Sequence, residues 1–173
     1  MNIAFVGVPA EDAEAIARLS ALATRIVRAQ FDPLVGREQN TYMLRRFQTP
    51  EAITSQIQSG FHYFFVLASG QEAGFLAFFP KNGKMDLSKF YLDTPFRGKG
   101  FARAMFDFVC GETRKAGLPS VLLNVNRNNA GPIAVYRHLG FYLLRAEKND
   151  IGCGYIMDDY VLQYDLPQEA GES

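Results

Sequence analysis

Hydrophobic and polar positions alternate in blocks along this chain, and the period of the alternation changes from block to block. Residues 2 to 8, NIAFVGV, form a short apolar run of strand length. From near Pro9 the spacing becomes helical, with Ile16, Leu19, Ala23, Ile26 and Val27 on one face, and Phe31-Asp32-Pro33 is expected to end that helix. Residues 37 to 47 also read as helix, and Thr49-Pro50 reads as an N-cap followed by proline at the first helical position of a short helix that stops at Gly60. Phe61 to Ala68 and Glu72 to Phe79 read as strands joined at Ser69-Gly70, and Lys84 to Leu92 continues the meander across the Asn82-Gly83 turn. Phe101, Met105, Phe108 and Val109 then restore helical spacing.

Beyond that helix, Val121 to Val125 predicts a strand and Asn129 to Leu139 a short helix. Asn129 is placed to cap it, Pro132 is tolerated in its first turn, and Gly140 suits the left-handed position after its end. Tyr142 to Arg145 and Tyr155 to Leu166 complete the strands, and the polar tail Pro167 to Ser173 is expected to be flexible and frayed. The fold class that follows is α/β (α+β): a central mixed, mostly antiparallel sheet with flanking helices. A chain of 173 residues with 48% hydrophobic content suffices for one well-packed domain and is short for two, so residues 1 to 166 are expected to form a single domain.

The segment with the clearest chemistry is KFYLDTPFRGKGFARA, Lys89 to Ala104, where a strand runs through a glycine-rich turn into a helix. Glycines let backbone amides approach an anion, and the first-turn amides of a helix lack carbonyl partners, so a phosphate is stabilised there by the backbone itself. Arg97 and Lys99 add full charges. A strand-to-helix turn alone is also what an ordinary βα connection looks like. The dinucleotide-binding pattern fails, because Arg103 stands where its third glycine would be, and the GxxxxGK[ST] pattern is absent.

A second segment, NVNRNNAGPIAVYRHLGF, Asn124 to Phe141, decides between these readings. Together the two resemble the GNAT superfamily of N-acetyltransferases. In that family an Arg/Gln-x-x-Gly-x-Gly/Ala turn binds the pyrophosphate of acetyl-CoA, and a later Asn, Ala, Tyr and Gly-Phe pattern completes the cofactor site. Here the positions read Arg97, Gly100 and Ala102, then Asn129, Ala130, Tyr136 and Gly140-Phe141. The element order agrees from near residue 9 to residue 166. The resemblance implies splayed central strands that bind CoA, with Phe90, Tyr91 and Leu92 on the strand that pairs with the pantetheine arm. It places Arg97, Gly98, Lys99, Gly100, Phe101, Ala102, Asn129 and Tyr136 at the cofactor.

The reaction implied is acetyl transfer from acetyl-CoA to a primary amine in a ternary complex, without a covalent enzyme intermediate. The acceptor is a small molecule, polyamine or amino-acid-like. The alternatives are a protein or peptide acceptor, or an acyl-CoA sensor without turnover. Members of the family often use a tyrosine at the Tyr136 position as general acid; its other role would be packing against cofactor and sheet. Asp86 lies where some members carry a carboxylate base, and otherwise reads as an exposed strand-end aspartate. Asp158 and Asp159 are adjacent on a strand, so one should face each side, and the one in the cleft would attract a cationic amine. His62 is a titratable candidate base or a structural residue, and His138 reads as solvated. Asn124 and Asn126 share a face, where Asn126 either contacts a ligand or satisfies a strand end. The variable stretch containing Arg37, Tyr42, Arg45, Arg46 and Phe47 would shape the acceptor pocket.

Charge and composition narrow the partners. Eighteen basic and eighteen acidic residues cancel, which gives no global reason to expect nucleic acid or an anionic membrane. The N-terminus turns acidic by Glu11 without a basic leader, and no apolar run approaches the roughly 20 residues of a membrane span. A cytoplasmic protein is expected. Cys110 and Cys153 have neither metal-site spacing nor enough partners for a disulfide framework, so reduced thiols and no metal are expected. Tyr155, Tyr160, Val161 and Tyr164 would suit a homodimer formed through C-terminal strands, and would equally suit packing within a monomer.

Overall fold

The computed structural model describes residues 2–168; most of the predicted tail, residues 169–173, lies outside them. Strands and helices follow the order β1 (Ile3–Gly7), α1 (Ala13–Val35), α2 (Arg37–Phe47), α3 (Pro50–Gln58), β2 (His62–Ala68), β3 (Gln71–Lys81), β4 (Lys84–Leu92), α4 (Phe101–Lys115), β5 (Ser120–Asn126), α5 (Ala130–Leu139), β6 (Tyr142–Gly152) and β7 (Tyr155–Asp165). The seven strands pair in the order β1-β2-β3-β4-β5-β7-β6, mostly antiparallel, as the fold class requires. The chain divides into two compact units, one drawn from Met1–Phe79 and Ser88–Ala104, the other from Pro80–Leu87 and Met105–Ser173. β4 and α4 each contribute residues to both.

In the first unit the helical stripe of α1 is buried as its spacing predicts. Ile16, Leu19, Ala23 and Ile26 join Ile53 of α3, Tyr63 and Phe65 of β2, and Phe75 and Ala77 of β3 in one apolar cluster. Asp12 caps α1 by accepting from the Ala15 amide at 3.0 Å, and Thr49 caps α3 by accepting from Ala52 at 3.1 Å. α1 does not stop at Pro33 but runs two residues further. A proline in the last turn forfeits a single intrahelical bond, and the local contacts offset it. The Asp32 carbonyl accepts from Gly36, while its carboxylate accepts from the Asn40 amide at 2.8 Å and pairs with Arg28 and Arg37.

β1 pairs antiparallel with β2 from Ile3↔Ala68 to Gly7↔Phe64. β2 pairs antiparallel with β3, but the register shifts after Val66↔Gly74, leaving Ala73 as the extra residue of a bulge. Its carbonyl accepts from the Asp93 amide at 2.8 Å and so fastens the segment that follows β4.

In the second unit β4 runs parallel to β5 at Met85↔Val121 and Asp86↔Leu122. β5 pairs antiparallel with β7, which pairs with β6 on its other side. Phe106 of α4, Phe141 and Tyr164 pack with ring centroids 4.9–5.8 Å apart. β6 extends through Gly152 rather than ending at Arg145. The reason is pairing: Glu147, Lys148, Asn149 and Asp150 are polar yet each lies opposite a β7 residue, so the backbone ladder carries the strand past its apolar start.

Candidate active site

The glycine-rich turn is held at both ends. Behind it, Asp93 caps a 3₁₀ turn at Thr94–Phe96 by accepting from the Thr94 amide, and Arg25 pairs with the same carboxylate at 2.7 Å. Arg97 donates from Nε to the Leu92 carbonyl at 3.1 Å, fastening the turn to the end of β4. Ahead of it, Phe101 is buried with Ala68 and Ala73, so α4 starts from a fixed point. Between these anchors Gly98 and Gly100 adopt φ of +74° and +82°, and residues 97–100 are exposed. A β-carbon on either glycine would meet nothing within 4 Å. The turn is therefore an open, cationic lip at a helix N-terminus, with Arg97 and Lys99 exposed and Ala102 half-buried just inside the helix.

Phe90, Tyr91 and Leu92 occupy the end of β4, each half-buried. The Tyr91 ring packs on Phe75 at 5.3 Å and edge-on to Phe31 at 6.1 Å, and Leu92 joins the cluster beneath Phe101. A β-carbon on Gly74 of β3 would collide with the Tyr91 carbonyl oxygen, so Gly74 sets how closely the two strands approach. Neither Gly74 nor the Arg25–Asp93 pair was marked by the sequence, because both act through residues distant in the chain.

In the second unit, Asn129 stands at the N-cap of α5 but makes no side-chain capping bond. The preceding turn is fixed instead by Asn126, whose side chain accepts from the Asn128 amide at 2.9 Å. Gly140 ends α5 at φ +108° and lies against the Tyr164 ring, where a β-carbon would stand 3.1 Å away. Tyr136 is half-buried, with its ring 5.8 Å from Phe141 and edge-on to it at 63°. His138 is exposed on the same helix, and His62 is exposed on β2 beside Phe78.

Asp86 lies opposite Leu122, which places it on the β5 face that carries Asn124 and Asn126. The two adjacent aspartates divide as their spacing requires. Asp158 pairs with Arg127 at 2.9 Å, and Arg127 also lies over the Tyr160 ring. Asp159 is opposite both Asn126 and Glu147 and is buried. Burial pushes its carboxyl above the usual aspartate value; Glu147 and Asp158 act in the same direction and the Asn124 amide opposes them. Glu147 lies below its usual range, held there by amides from Asn149 and Asn124 and by Arg145. The alternation Arg145, Glu147, Asn149 was the signal that could have revealed it, had the strand been extended beyond Arg145.

Arg37 pairs with Asp32, Arg46 lies over the Phe47 ring and reaches the Tyr42 hydroxyl, and Arg45 is exposed. Both cysteines are free, Cys110 buried and Cys153 in the exposed β6–β7 turn. Among the described residues no group of His, Cys, Asp or Glu is placed to hold a metal, and no helix is long and apolar enough to cross a membrane.

These features define an α/β protein with an open, cationic, glycine-rich turn between a sheet strand and a helix. The model of the acetyltransferase (GNAT) family matches residues 25–141, and the chain belongs to that family of acyltransferases. No curated protein matches the sequence. Among solved structures, the PaiA N-acetyltransferase of Thermoplasma acidophilum, in complex with coenzyme A, aligns over 96% of this chain and 100% of its own, with 18% identity and a TM-score of 0.75. The ribosomal-protein-S18-alanine N-acetyltransferase of Escherichia coli aligns over 99% of both chains at 17% identity and a TM-score of 0.67. A GNAT family acetyltransferase of Elizabethkingia anophelis with acetyl-CoA bound covers 95% of this chain and 99% of its own at 13% identity and a TM-score of 0.66. At these identities the likeness concerns the fold.

Proposed function

We propose that residues 1–166 form an N-acetyltransferase domain that moves an acetyl group from acetyl-CoA to a primary amine of a small molecule by direct transfer in a ternary complex. The observation that carries this reading is the open Arg97–Ala102 turn, with two glycines at positive φ leading into a helix N-terminus and two exposed cations beside them. A pyrophosphate fits its chemistry: amide donors, a favourable dipole and guanidinium and ammonium groups. The structures with coenzyme A or acetyl-CoA bound to the same fold support the choice of cosubstrate.

Acetyl-CoA supplies the acyl group already activated as a thioester. Phe90, Tyr91 and Leu92 would hold the pantetheine arm along the β4 main chain, and Asn129 would complete the cofactor site. A primary amine has an ordinary pKa near roughly 10.4 and must shed a proton before it can attack, either to water or to Asp86. The Tyr136 hydroxyl would return a proton to the departing thiolate. No covalent acyl-enzyme step is invoked, and neither Cys110 nor Cys153 is assigned a role.

The test is thiol release from acetyl-CoA across polyamines, amino acids, aminoglycosides and short peptides, each against a blank without acceptor. Turnover with a small amine is the expected result, whereas turnover confined to peptides would move the acceptor to proteins. Tyr136→Phe should leave acetyl-CoA affinity intact and lower turnover by about 10²–10⁴, the range for a lost general acid. Unchanged turnover in that variant would remove Tyr136 from the mechanism. Blank-level rates with all acceptors, despite tight acetyl-CoA binding, would indicate a sensor.

A further inference from the structure

Strands β5, β7 and β6 bring Asn124, Asn126, Asp159 and Glu147 to one face. Asn126 lies directly opposite Asp159, and Asp159 directly opposite Glu147. Partners opposite one another in an antiparallel ladder project to the same side. Asp158 projects to the other side, where Arg127 and its register partner Lys148 supply the positive charge.

On the face of Asp159 the nearby donors serve chiefly Glu147, and only the Asn124 amide also acts on Asp159. Arg145 Nε lies 3.1 Å from Glu147 Oε2, and Asn124 and Asn149 donate to Glu147 Oε1 at 2.9 and 3.1 Å. The Asn126 side-chain oxygen accepts from the Asn128 amide. Asp159 is 3% exposed, and among the described residues its Oδ1 is buried without a hydrogen-bond partner. The guanidinium of Arg145 thus serves Glu147, and among the described residues no ion pair reaches the buried Asp159. A carboxylate in that position costs stability unless a cation joins it.

We propose that Asp159 anchors an ammonium group of the acceptor, so that the substrates of this chain are amines bearing a second positive charge, with Glu147 at the edge of the same site. This rests on the acetyltransferase reading above. The link to that reaction is β5, which carries Asn124 and Asn126 on the face where Asp86, the candidate base, lies opposite Leu122. A compact ammonium suits a single free carboxylate oxygen, whereas a guanidinium would call for a two-oxygen fork. The arrangement is also not a metal-ligand set, since the described residues offer no group of three metal-binding side chains.

The experiment is a pair of titrations, one with spermidine and one with acetyl-CoA, followed by calorimetry and by thermal shift at pH 7 on the wild type, Asp159→Asn and Asp158→Asn. Spermidine is expected to bind and stabilise the wild type and Asp158→Asn. Its affinity for Asp159→Asn should fall by about 30-fold or more, as when one partner of a buried charge pair is neutralised. Asp159→Asn should bind acetyl-CoA like the wild type and, without ligand, melt at a higher temperature because a buried unpaired charge is gone. Equal spermidine affinity in Asp159→Asn and wild type, or no spermidine binding by a wild type that binds acetyl-CoA, overturns the proposal. So does a ligand-free Asp159→Asn protein that melts below the wild type, since that outcome makes the carboxylate structural. The acetyl-CoA titration reads the transferase assignment separately: a wild type that fails to bind it undoes that assignment whatever spermidine does.

Discussion

A β-carbon placed on Gly74 would run into the Tyr91 carbonyl and stand 3.1 Å from the Leu92 Cα. Both neighbours are backbone, so relief requires β4 itself to move. Gly74→Ala should therefore cost about 1–3 kcal/mol, as overpacking does, and weaken acetyl-CoA binding because the displaced residues are those proposed to hold the pantetheine arm. Thermal melts and calorimetric titration check both effects, and a variant with wild-type values for each would show that β4 tolerates the shift. Tyr63 makes a second residue-scale prediction. Its hydroxyl donates to Gln56 Oε1 at 2.6 Å and accepts from Gln48 Nε2 at 3.2 Å, and burial pushes its pKa up to about 12. Tyr63→Phe keeps the ring but strands two amide groups, so a loss of about 1–3 kcal/mol is expected in denaturant melts. Neither residue was legible as special in the sequence. Gly74 reads as an ordinary member of an apolar strand, and the Tyr63 partners lie 7 and 15 positions away.

Elements whose borders are written in local chemistry were legible. Arg37–Phe47 and Lys84–Leu92 have the bounds their patterns predict, and Thr49-Pro50 opens α3 as its capping chemistry dictates. The failures came where something beyond the local stop signal prevailed: the contacts of Asp32 with Arg28, Arg37 and Asn40 carry α1 past Pro33, and pairing with β7 carries β6 past Arg145. The glycine-rich turn belongs to the legible class, since its conformation follows from residues inside it. Because no atom crowds Gly100, replacing it tests conformation alone. Gly100→Ala must adopt φ near +82° at a cost of roughly 1–2 kcal/mol or let the turn rearrange. Weaker acetyl-CoA binding with little change in far-ultraviolet dichroism is the expected outcome. An unchanged affinity would mean that the turn does not hold the pyrophosphate.

At the scale of the molecule, strand order was the least legible property, because β7 enters between β5 and β6 and nothing in the sequence of either neighbour states that preference. The carboxylates distributed over the two units do, however, fix the sign of the pH dependence. Asp32, Glu147 and Asp165 all titrate below their ordinary values, through the Asn40, Asn149 and Gln163 amides respectively as the leading cause. Each therefore binds its proton more readily in the unfolded chain, so its stabilisation is complete above the ordinary range of 3.8 to 4.5 and disappears as pH falls through the lowered folded value. Asp159 behaves oppositely. Because its folded value is raised, its relative contribution is fully present below 3.8 and is lost as pH rises through the raised folded value. Thermal melts between pH 7.5 and 3 should show the wild type losing stability below about pH 4.5. The Asp32→Asn variant should be less stable than the wild type at pH 7, and the gap should narrow as pH falls below 3.8. The Asp159→Asn variant should be more stable at pH 7 and likewise converge in acid. Parallel curves for either variant would mean that its carboxylate titrates alike in the folded and unfolded chain, and the environment assigned to that residue would be wrong.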